Sequence, residues 1–280
     1  MKLTTITPYW NRPEMLRLWI RNAHLNAHPD VTHILIAPDQ KLKKDPDLQE
    51  AQARGIEVVT PSSDLPPGEW RRSIGHWHNY GARLVRTQWM MKLDVDCFHH
   101  RFFWKHLFGM LEEATPRQWF NVGMFMTEKT RPFPVPLGYG DYLNTATMLF
   151  AAGKRPVSSQ FVCRVKDYMD AGACSVEFRG YGWEDYYQLY GLQRQYLGAD
   201  PLPGYVGEEN VTQRCRDDIG RPQAAWLYQR STGLALLHRW HEGTAHDKRY
   251  KSPEIMNHNR RILYDYVIAS RNQSRAQAVS

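Results

Sequence analysis

The sequence has 280 residues, of which 42% are hydrophobic and 23% charged, so it can bury a real core in one large domain or two small ones. Its net charge of +7 is concentrated in residues 248–280, where seven Lys or Arg face two acidic residues, and this weakens a general nucleic-acid-binding interpretation. No stretch is apolar over the length of a membrane span or signal peptide, and the four cysteines lack zinc or redox spacing, so we expect a cytoplasmic protein.

Strands and helices alternate in the first third of the sequence. The strands are short, β-branched and closed by Pro or Gly, whereas the helices show apolar residues at helical spacing. This alternation predicts an α/β fold with a mostly parallel sheet covered by helices. The predicted strands cover residues 2–7, 31–37, 56–60 and 89–93, and the predicted helices cover residues 13–26, 48–54 and 71–86.

The pattern is less regular after residue 96. Gly and Pro punctuate residues 198–222, which we expect to form a loop, and we expect residues from 271 onward to fray. Helices are predicted at 102–113, 165–171, 184–192 and 253–269, and strands at 120–127, 145–151 and 233–237.

Two carboxylates follow the fourth predicted strand, in the segment Asp94-Val95-Asp96. The chain can bend at a strand end and bring both to one divalent cation, and Mg²⁺ and Mn²⁺ favour such oxygen ligands together with substrate phosphates. Ligands of open α/β sheets bind outside the carboxyl ends of the strands. That edge also carries Pro8, Tyr9, Asn11 and Arg12 after the first strand and Asp39 after the second, a set that suits a nucleotide diphosphate bridged by a metal ion.

Four sequence blocks resemble, in the same order, those of GT-A-fold glycosyltransferases, and in detail the β-1,4-galactosyltransferase-like branch of these inverting enzymes. ITPYWNRPEML is similar to the block that holds the nucleotide, and WRRSIGHWHNYGARLV to a helix with Arg and an Asn-x-Gly that matches Asn79 and Gly81. KLDVD matches the Asp-x-Asp strand end. GACSVEFRGYGWED resembles the block in which a Gly-rich loop leads into Glu-Asp at a helix start.

The resemblance implies a single GT-A catalytic domain over residues 1–270, with a nucleotide-binding half at 1–97, an acceptor half at 98–270 and a flexible tail at 271–280. Together with the strand ends, it implies a set of residues that contact the nucleotide sugar. These residues are Pro8, Tyr9, Asn11, Arg12, Asp39, Arg72, Asn79, Asp94, Val95, Tyr181, Gly182 and Trp183.

Glu184 and Asp185 precede a helical run, and carboxylates at a helix N-terminus keep a low pKa unless burial intervenes. An isolated Glu-Asp pair usually serves as a helix cap. By family resemblance, Asp185 is the general base that accepts the proton of the acceptor hydroxyl, and Glu184 helps to hold the acceptor. The resemblance also makes Tyr181 the aromatic residue that closes over the substrate.

His238 and His241 follow the last predicted strand. The resemblance places a metal-binding pair there, so we expect Asp94, Asp96, His238 and His241 to be the metal ligands, with His241 the more firmly assigned of the two histidines. A nitrogen ligand often completes a site that has only one or two carboxylates. The remaining paired histidines, His76, His78, His99 and His100, are expected to be surface or loop residues.

These observations predict a metal-dependent inverting glycosyltransferase that uses Mn²⁺ or Mg²⁺ and moves a hexose or N-acetylhexosamine from a UDP-linked donor to a saccharide, lipid-linked or peptide acceptor. One alternative is a phage-type enzyme that glycosylates a hydroxymethylated DNA base, with residues 248–275 and 70–78 on the nucleic acid. Another is a nucleotidyltransferase, although the segment after the first strand lacks the Gly run typical of that class.

Overall fold

The computed structural model describes residues 1–10, 12–37, 44–61, 74–130, 132–154, 156–180, 182–220, 234–241 and 252–279. The strands are β1 Leu3–Pro8, β2 Val31–Ile36, β3 Glu57–Val59, β4 Trp89–Lys92, β5 Cys97–Phe98, β6 Phe120–Met126, β7 Val157–Arg164 and β8 Leu236–His238. The helices are α1 Pro13–Leu25, α2 Pro46–Ala53, α3 Ile74–Leu84, α4 Phe103–Glu112, α5 Tyr139–Ala151, α6 Val165–Asp170, α7 Glu184–Leu197, α8 Glu208–Arg214 and α9 Pro253–Val279.

The eight described strands form one mixed sheet in the order β3-β2-β1-β4-β7-β6-β8-β5. The strands β1 to β4 are parallel, as the alternation with helices predicts, whereas β7 is antiparallel to both β4 and β6. The predicted α/β class is therefore confirmed. Because β7 inserts between β4 and β6, the sheet continues across residue 97, the predicted boundary between the two halves.

Close contact between α3 and the sheet depends on a glycine. A Cβ atom added at Gly81 would lie 2.5 Å from Cγ2 of Ile6 on β1 and 2.7 Å from Cδ1 of Ile36 on β2. No side chain fits at that distance, so α3 can lie this close to β1 and β2 only because the residue has no Cβ.

One predicted strand is wrong. Residues 145–151 belong to α5, in which Tyr142, Thr145, Ala146 and Leu149 are buried. These residues follow the i, i+3, i+4, i+7 spacing of a helix that packs one face on the core. The short apolar run TATMLFA satisfies both patterns, and only the longer segment that begins at Tyr139 shows the helical period.

Three other parts of the chain differ from the expectation: a strand that was not predicted, a predicted loop and the end of the last helix. Strand β7 was not predicted, because its first half, VSSQ, is polar although Gln160 is fully buried. The expected loop at 198–222 contains α8 and a π-helical turn, Cys215–Gly220. The last helix continues to Val279 instead of ending at residue 269, so residues 271–279 extend α9 where we expected a tail. No helix in the described ranges is both long and apolar enough to cross a membrane.

The expectation that the other paired histidines lie at the surface or in loops holds only in part. His99 and His100 lie in a loop but are buried, and His78 is buried within α3. The side-chain amides of Asn22 and Asn26 both donate to the backbone carbonyl of His99, at 3.1 and 2.9 Å. Burial lowers the pKa of His99 to about 3, so this imidazole is neutral and belongs to the core.

The last helix packs against the helix that carries the Glu-Asp pair. The rings of Tyr187 on α7 and Tyr266 on α9 stack with centroids 4.0 Å apart. Asn259 of α9 accepts from the backbone N–H of Arg179 at 2.9 Å and donates to its carbonyl at 2.6 Å. Helix α9 thus holds both α7 and the segment that leads into it.

Candidate metal and catalytic site

The register of β5 against β8 brings together two segments that are far apart in sequence. Cys97 pairs with His238 in this antiparallel pair, and the backbone N–H of Arg239 donates to the carbonyl of Asp96 at 2.9 Å. The residue before β5 therefore lies beside the residues after β8. This register places the carboxylate of Asp96 next to His238 and His241.

Three side chains converge on a single oxygen of Asp96. His241 Nε2 lies 3.1 Å from Asp96 Oδ2, His238 Nε2 lies 3.4 Å from it, and Arg12 Nη1 lies 2.5 Å from it. The ligand atoms of Asp96, His238 and His241 all lie within 4.8 Å of one another. The structure thus brings together three of the four residues predicted as metal ligands, and these donors fit a divalent metal ion.

Charge pairing overcomes the cost of burying Asp96. Burial acts to raise the pKa of this carboxyl, but hydrogen bonds from His238 and His241 and the charge of Arg12 outweigh it and hold the pKa well below its ordinary value. His238 shows the converse, because burial acts to lower its pKa and the bond to Asp96 raises it overall. Asp96 is therefore an anion ready to bind a cation.

Asp94 is held by a different partner. Gln160, fully buried on β7, donates from Nε2 to Asp94 Oδ2 at 2.6 Å and accepts from the Asp94 backbone N–H at 3.0 Å. A ligand atom of Asp94 lies within 4.8 Å of those of Asp96 and Cys97. The thiol of Cys97, however, is buried in the hydrophobic core, where it lies 3.6 Å from Met124 Sδ. Gln160 is a site residue that the sequence analysis missed.

A second missed residue, Lys92, connects the sheet to Asp185. Lys92 is 3% exposed at the end of β4, and its Nζ donates to the carbonyl of Ser159 at 2.8 Å and to the carboxylate of Asp185. Burial acts to lower the pKa of Lys92, but the charges of Asp185 and Asp94 raise it overall, so the ammonium stays charged. A lysine inside the apolar run WMMKL was the available signal, because a buried charge requires a partner.

Glu184 and Asp185 occupy different environments although they are adjacent. Glu184 is 3% exposed, and burial together with the charge of Asp185 raises its pKa to about 8. Its Oε2 is buried and has no hydrogen-bond partner among the described residues. The helix N-terminus does not keep this pKa low, because burial outweighs the dipole. Glu184 is therefore mostly protonated at neutral pH.

Replacing Glu184 with Gln is expected to stabilise the protein at high pH. The folded pKa of about 8 lies above the unfolded value of 4.5, so the wild type loses stability as pH rises between these values, and glutamine does not. At pH 8 we expect Glu184→Gln to be more stable than wild type by roughly 4 kcal/mol, with a difference of under about 1 kcal/mol at pH 5. Urea unfolding across this range measures the effect. Glu209→Gln, on the exposed face of α8, is the control, and parallel pH profiles for wild type and Glu184→Gln would contradict the expectation.

The residues predicted to contact the nucleotide sugar fall into two groups here: those whose side chains bond within the fold, and those that lie outside the described residues. The amide of Asn79 donates to the carbonyl of Cys174 at 2.7 Å and accepts from Tyr168 Oη at 2.8 Å and from the Cys174 N–H at 3.1 Å. Tyr9 is 1% exposed, and its hydroxyl lies 3.5 Å from Asp45. Both side chains are engaged within the fold. Asn11, Asp39, Arg72 and Tyr181 lie outside the described residues.

The loop before α7 has an unusual backbone. Trp183 has a φ of 72°, which is rare for a residue with a side chain, and Gly182 has a φ of 109°. A Cβ at Gly182 would meet Met256 of α9 at 2.5 Å. The backbone at residues 182 and 183 therefore sets the direction in which the chain enters α7, and with it the positions of Glu184 and Asp185.

Two other residues predicted to contact the nucleotide sugar are described: Val95 is buried, and Pro8, at the end of β1, is half-buried.

No protein-family model and no curated protein matches the sequence. Among solved structures, the chain is similar to glucosyl-3-phosphoglycerate synthase from Mycobacterium tuberculosis in complex with Mn²⁺, UDP and glucosyl-3-phosphoglycerate, with 17% identity, a TM-score of 0.46, and coverage of 71% of this chain and 67% of that one. It is also similar to a 1–349 fragment of S. aureus TarS, with 15% identity, a TM-score of 0.43, and coverage of 70% and 56%.

With TM-scores below 0.5, these similarities carry no argument for an activity, and the resemblance to the β-1,4-galactosyltransferase-like branch stays a prediction. The chain spans about two thirds of the synthase and just over half of the TarS fragment. At such low identity the activity has to be argued from the residues of this chain.

Proposed function

We propose that this protein is a metal-dependent glycosyltransferase that takes its sugar from a nucleotide-sugar donor. The observation that carries the proposal is the position of two groups, one at the end of β4 and one just after it. Lys92, paired with Asp185, ends β4, and Asp96, with His238 and His241, follows four residues later. Sugar transfer needs both functions side by side, a cation for the diphosphate and a carboxylate for the acceptor proton.

The ligand set supports the choice of metal. Two imidazole nitrogens with one carboxylate suit Mn²⁺ better than Mg²⁺, which prefers oxygen ligands, and the same set also suits Fe²⁺ and Zn²⁺. When bound between Asp96, His238 and His241, with Asp94 near enough to join them, the ion would neutralise the charge that develops on the UDP leaving group.

In this proposal Arg12 changes its partner when a metal ion binds. Its guanidinium contacts Asp96 at 2.5 Å and its side chain is 27% exposed, so it can reach solvent. Guanidinium groups recognise phosphates through two parallel hydrogen bonds. Once Asp96 faces a cation, Arg12 would turn to the diphosphate of the donor.

Asp185 is the proposed base, and the reaction is proposed to invert the anomeric centre. Its side chain is 18% exposed, so a substrate hydroxyl can reach it, and Lys92 keeps it in place from the sheet. Direct attack by a hydroxyl that Asp185 deprotonates gives inversion in one displacement. Glu184, which burial keeps mostly protonated, would not compete with Asp185 as a base.

The charges of the last helix do not favour a DNA acceptor. Arg260 and Arg261 pair with Glu208, and Arg271 pairs with Asp200, so these three arginines are balanced within the fold. The other basic side chains of residues 248–280 lie outside those described. We therefore propose a saccharide, lipid-linked or peptide hydroxyl as the acceptor.

A thermal-shift screen followed by product analysis tests the proposed function. The panel crosses UDP-glucose, UDP-galactose, UDP-N-acetylglucosamine and GDP-mannose with Mn²⁺, Mg²⁺, Fe²⁺, Zn²⁺ and EDTA. A donor present at about 100 times its Kd raises the free energy of unfolding by about 2.7 kcal/mol, so we expect a clear metal-dependent shift with a UDP-sugar. Slow release of UDP should follow. In a parallel reaction with UTP and a sugar 1-phosphate, release of pyrophosphate would indicate a nucleotidyltransferase instead. The absence of any thermal shift with every nucleotide sugar would contradict the proposal.

A further inference from the structure

We infer that Lys92 is a positioning residue for the catalytic carboxylate of Asp185, which it fixes from the central sheet. This inference rests on the proposed function, in which Asp185 is the base. Lys92 lies in the block KLDVD, but the family resemblance gives it no role, and it acts through Asp185 rather than on the substrate.

Burial makes the contact obligatory. Every residue of β4 is buried, and Lys92 is itself 3% exposed. Removing an ammonium from water is costly unless it finds anionic and hydrogen-bonding partners. The partners of Lys92 are the carbonyl of Ser159 on the neighbouring strand β7 and the carboxylate of Asp185 on α7. If the ammonium left Asp185, it would lose the carboxylate that accepts its hydrogen bond.

The geometry leaves one oxygen of the base available. Lys92 contacts Oδ1 of Asp185, so Oδ2 is the atom that would accept the hydroxyl proton. The ammonium is anchored on two paired strands, β4 and β7, which join at Met91 and Val162. The helix that carries Asp185 instead starts from a loop with positive φ at Gly182 and Trp183. The sheet thus holds Lys92 in place, and Lys92 in turn positions Asp185, which follows a loop with an unusual backbone.

The inference predicts an effect on turnover that is separate from donor and metal binding. We expect Lys92→Met, which keeps an unbranched side chain one atom shorter and removes the charge, to lower kcat about 100-fold while the donor KM and the Mn²⁺ affinity change less than about threefold. Lys92→Arg keeps the charge with a different head group and should have an intermediate kcat. Lys166→Met is the matched control, because Lys166 makes an exposed ion pair with Asp170 and should leave kcat unchanged.

A double-mutant cycle separates positioning from a general loss of structure. If Lys92 acts through Asp185, then Lys92→Met should lower kcat much less in an Asp185→Asn background than in the wild type. Independent effects that multiply would overturn the inference, and so would a wild-type kcat in Lys92→Met or a loss of Mn²⁺ affinity as large as the loss of kcat. If Lys92→Met does not fold, Lys92→Arg carries the test, and an unchanged kcat in that variant overturns the role.

The failure of the inference can be told apart from the failure of the proposed function. A wild-type protein that neither binds nor turns over any nucleotide sugar would overturn the function itself. A wild-type protein that transfers sugar but is insensitive to Lys92→Met would overturn only the role of Lys92.

Discussion

Asp96→Asn is expected to lower the affinity for Mn²⁺ at least about 100-fold and sugar transfer about 1,000-fold. Asparagine keeps the volume of the side chain but removes the negative charge that Arg12, His238 and His241 all face. The two imidazoles would remain, but the site would lose the negative charge that attracts the cation. Weaker metal binding would in turn leave the charge of the diphosphate leaving group without a cation to neutralise it.

Titration calorimetry with Mn²⁺ and an assay of UDP release measure the two quantities for Asp96→Asn. Asp170→Asn provides the matched control, because Asp170 is exposed and pairs with Lys166 away from the site. Circular dichroism should show that both variants fold. Wild-type Mn²⁺ affinity in a folded Asp96→Asn protein would remove Asp96 from the metal site.

Asp185→Asn is expected to lower kcat about 1,000-fold, within the range that a general base contributes, with little change in the donor KM or the Mn²⁺ affinity. The amide oxygen can still accept a hydrogen bond from Lys92, but it cannot take the proton of the acceptor hydroxyl. The variant should also unfold more easily, by roughly 1 to 3 kcal/mol, because Lys92 keeps its buried charge and loses its counter-ion.

Steady-state kinetics at saturating acceptor and urea unfolding check the two effects of Asp185→Asn. Asp218→Asn is a suitable control, since Asp218 makes an exposed pair with Arg214 one helical turn away. If Asp185→Asn is folded and transfers sugar at the wild-type rate, the base must be another group.

The parallel half of the sheet was predictable because its signals are local. Each of the strands β1 to β4 is a short β-branched or apolar run that a Pro, a Gly or a charged residue ends, and each helix between them has apolar residues at helical spacing. The strand predicted at residues 145–151 was wrong because this run of seven residues, five of them apolar, fits a strand as well as a helix. Strand β7 was not predicted because Gln160 is polar and yet fully buried, where it bonds to Asp94.

The residues of the candidate site were predictable only in part. Asp96 and His241 follow short strands and His238 ends one, which is a signal within a few residues, whereas their assignment as metal ligands rests on the family resemblance and stays a prediction. Gln160 and Lys92 carry no such signal for their partners, although a lysine within WMMKL indicates that some partner exists. Lys92 and Asp185 are 93 positions apart, and no local rule connects them.

The amino-acid sequence by itself determined the alternation of strands and helices, the carboxylates that follow β4 and the histidines at and just after the end of β8, because backbone geometry and side-chain period act over a few residues. Only the tertiary structure decided that His241 lies 3.1 Å from Asp96 across 145 positions and that Lys92 faces Asp185. It also decided that Glu184 is buried enough to keep its proton. Strand register and burial set these properties, and both depend on how the whole chain packs.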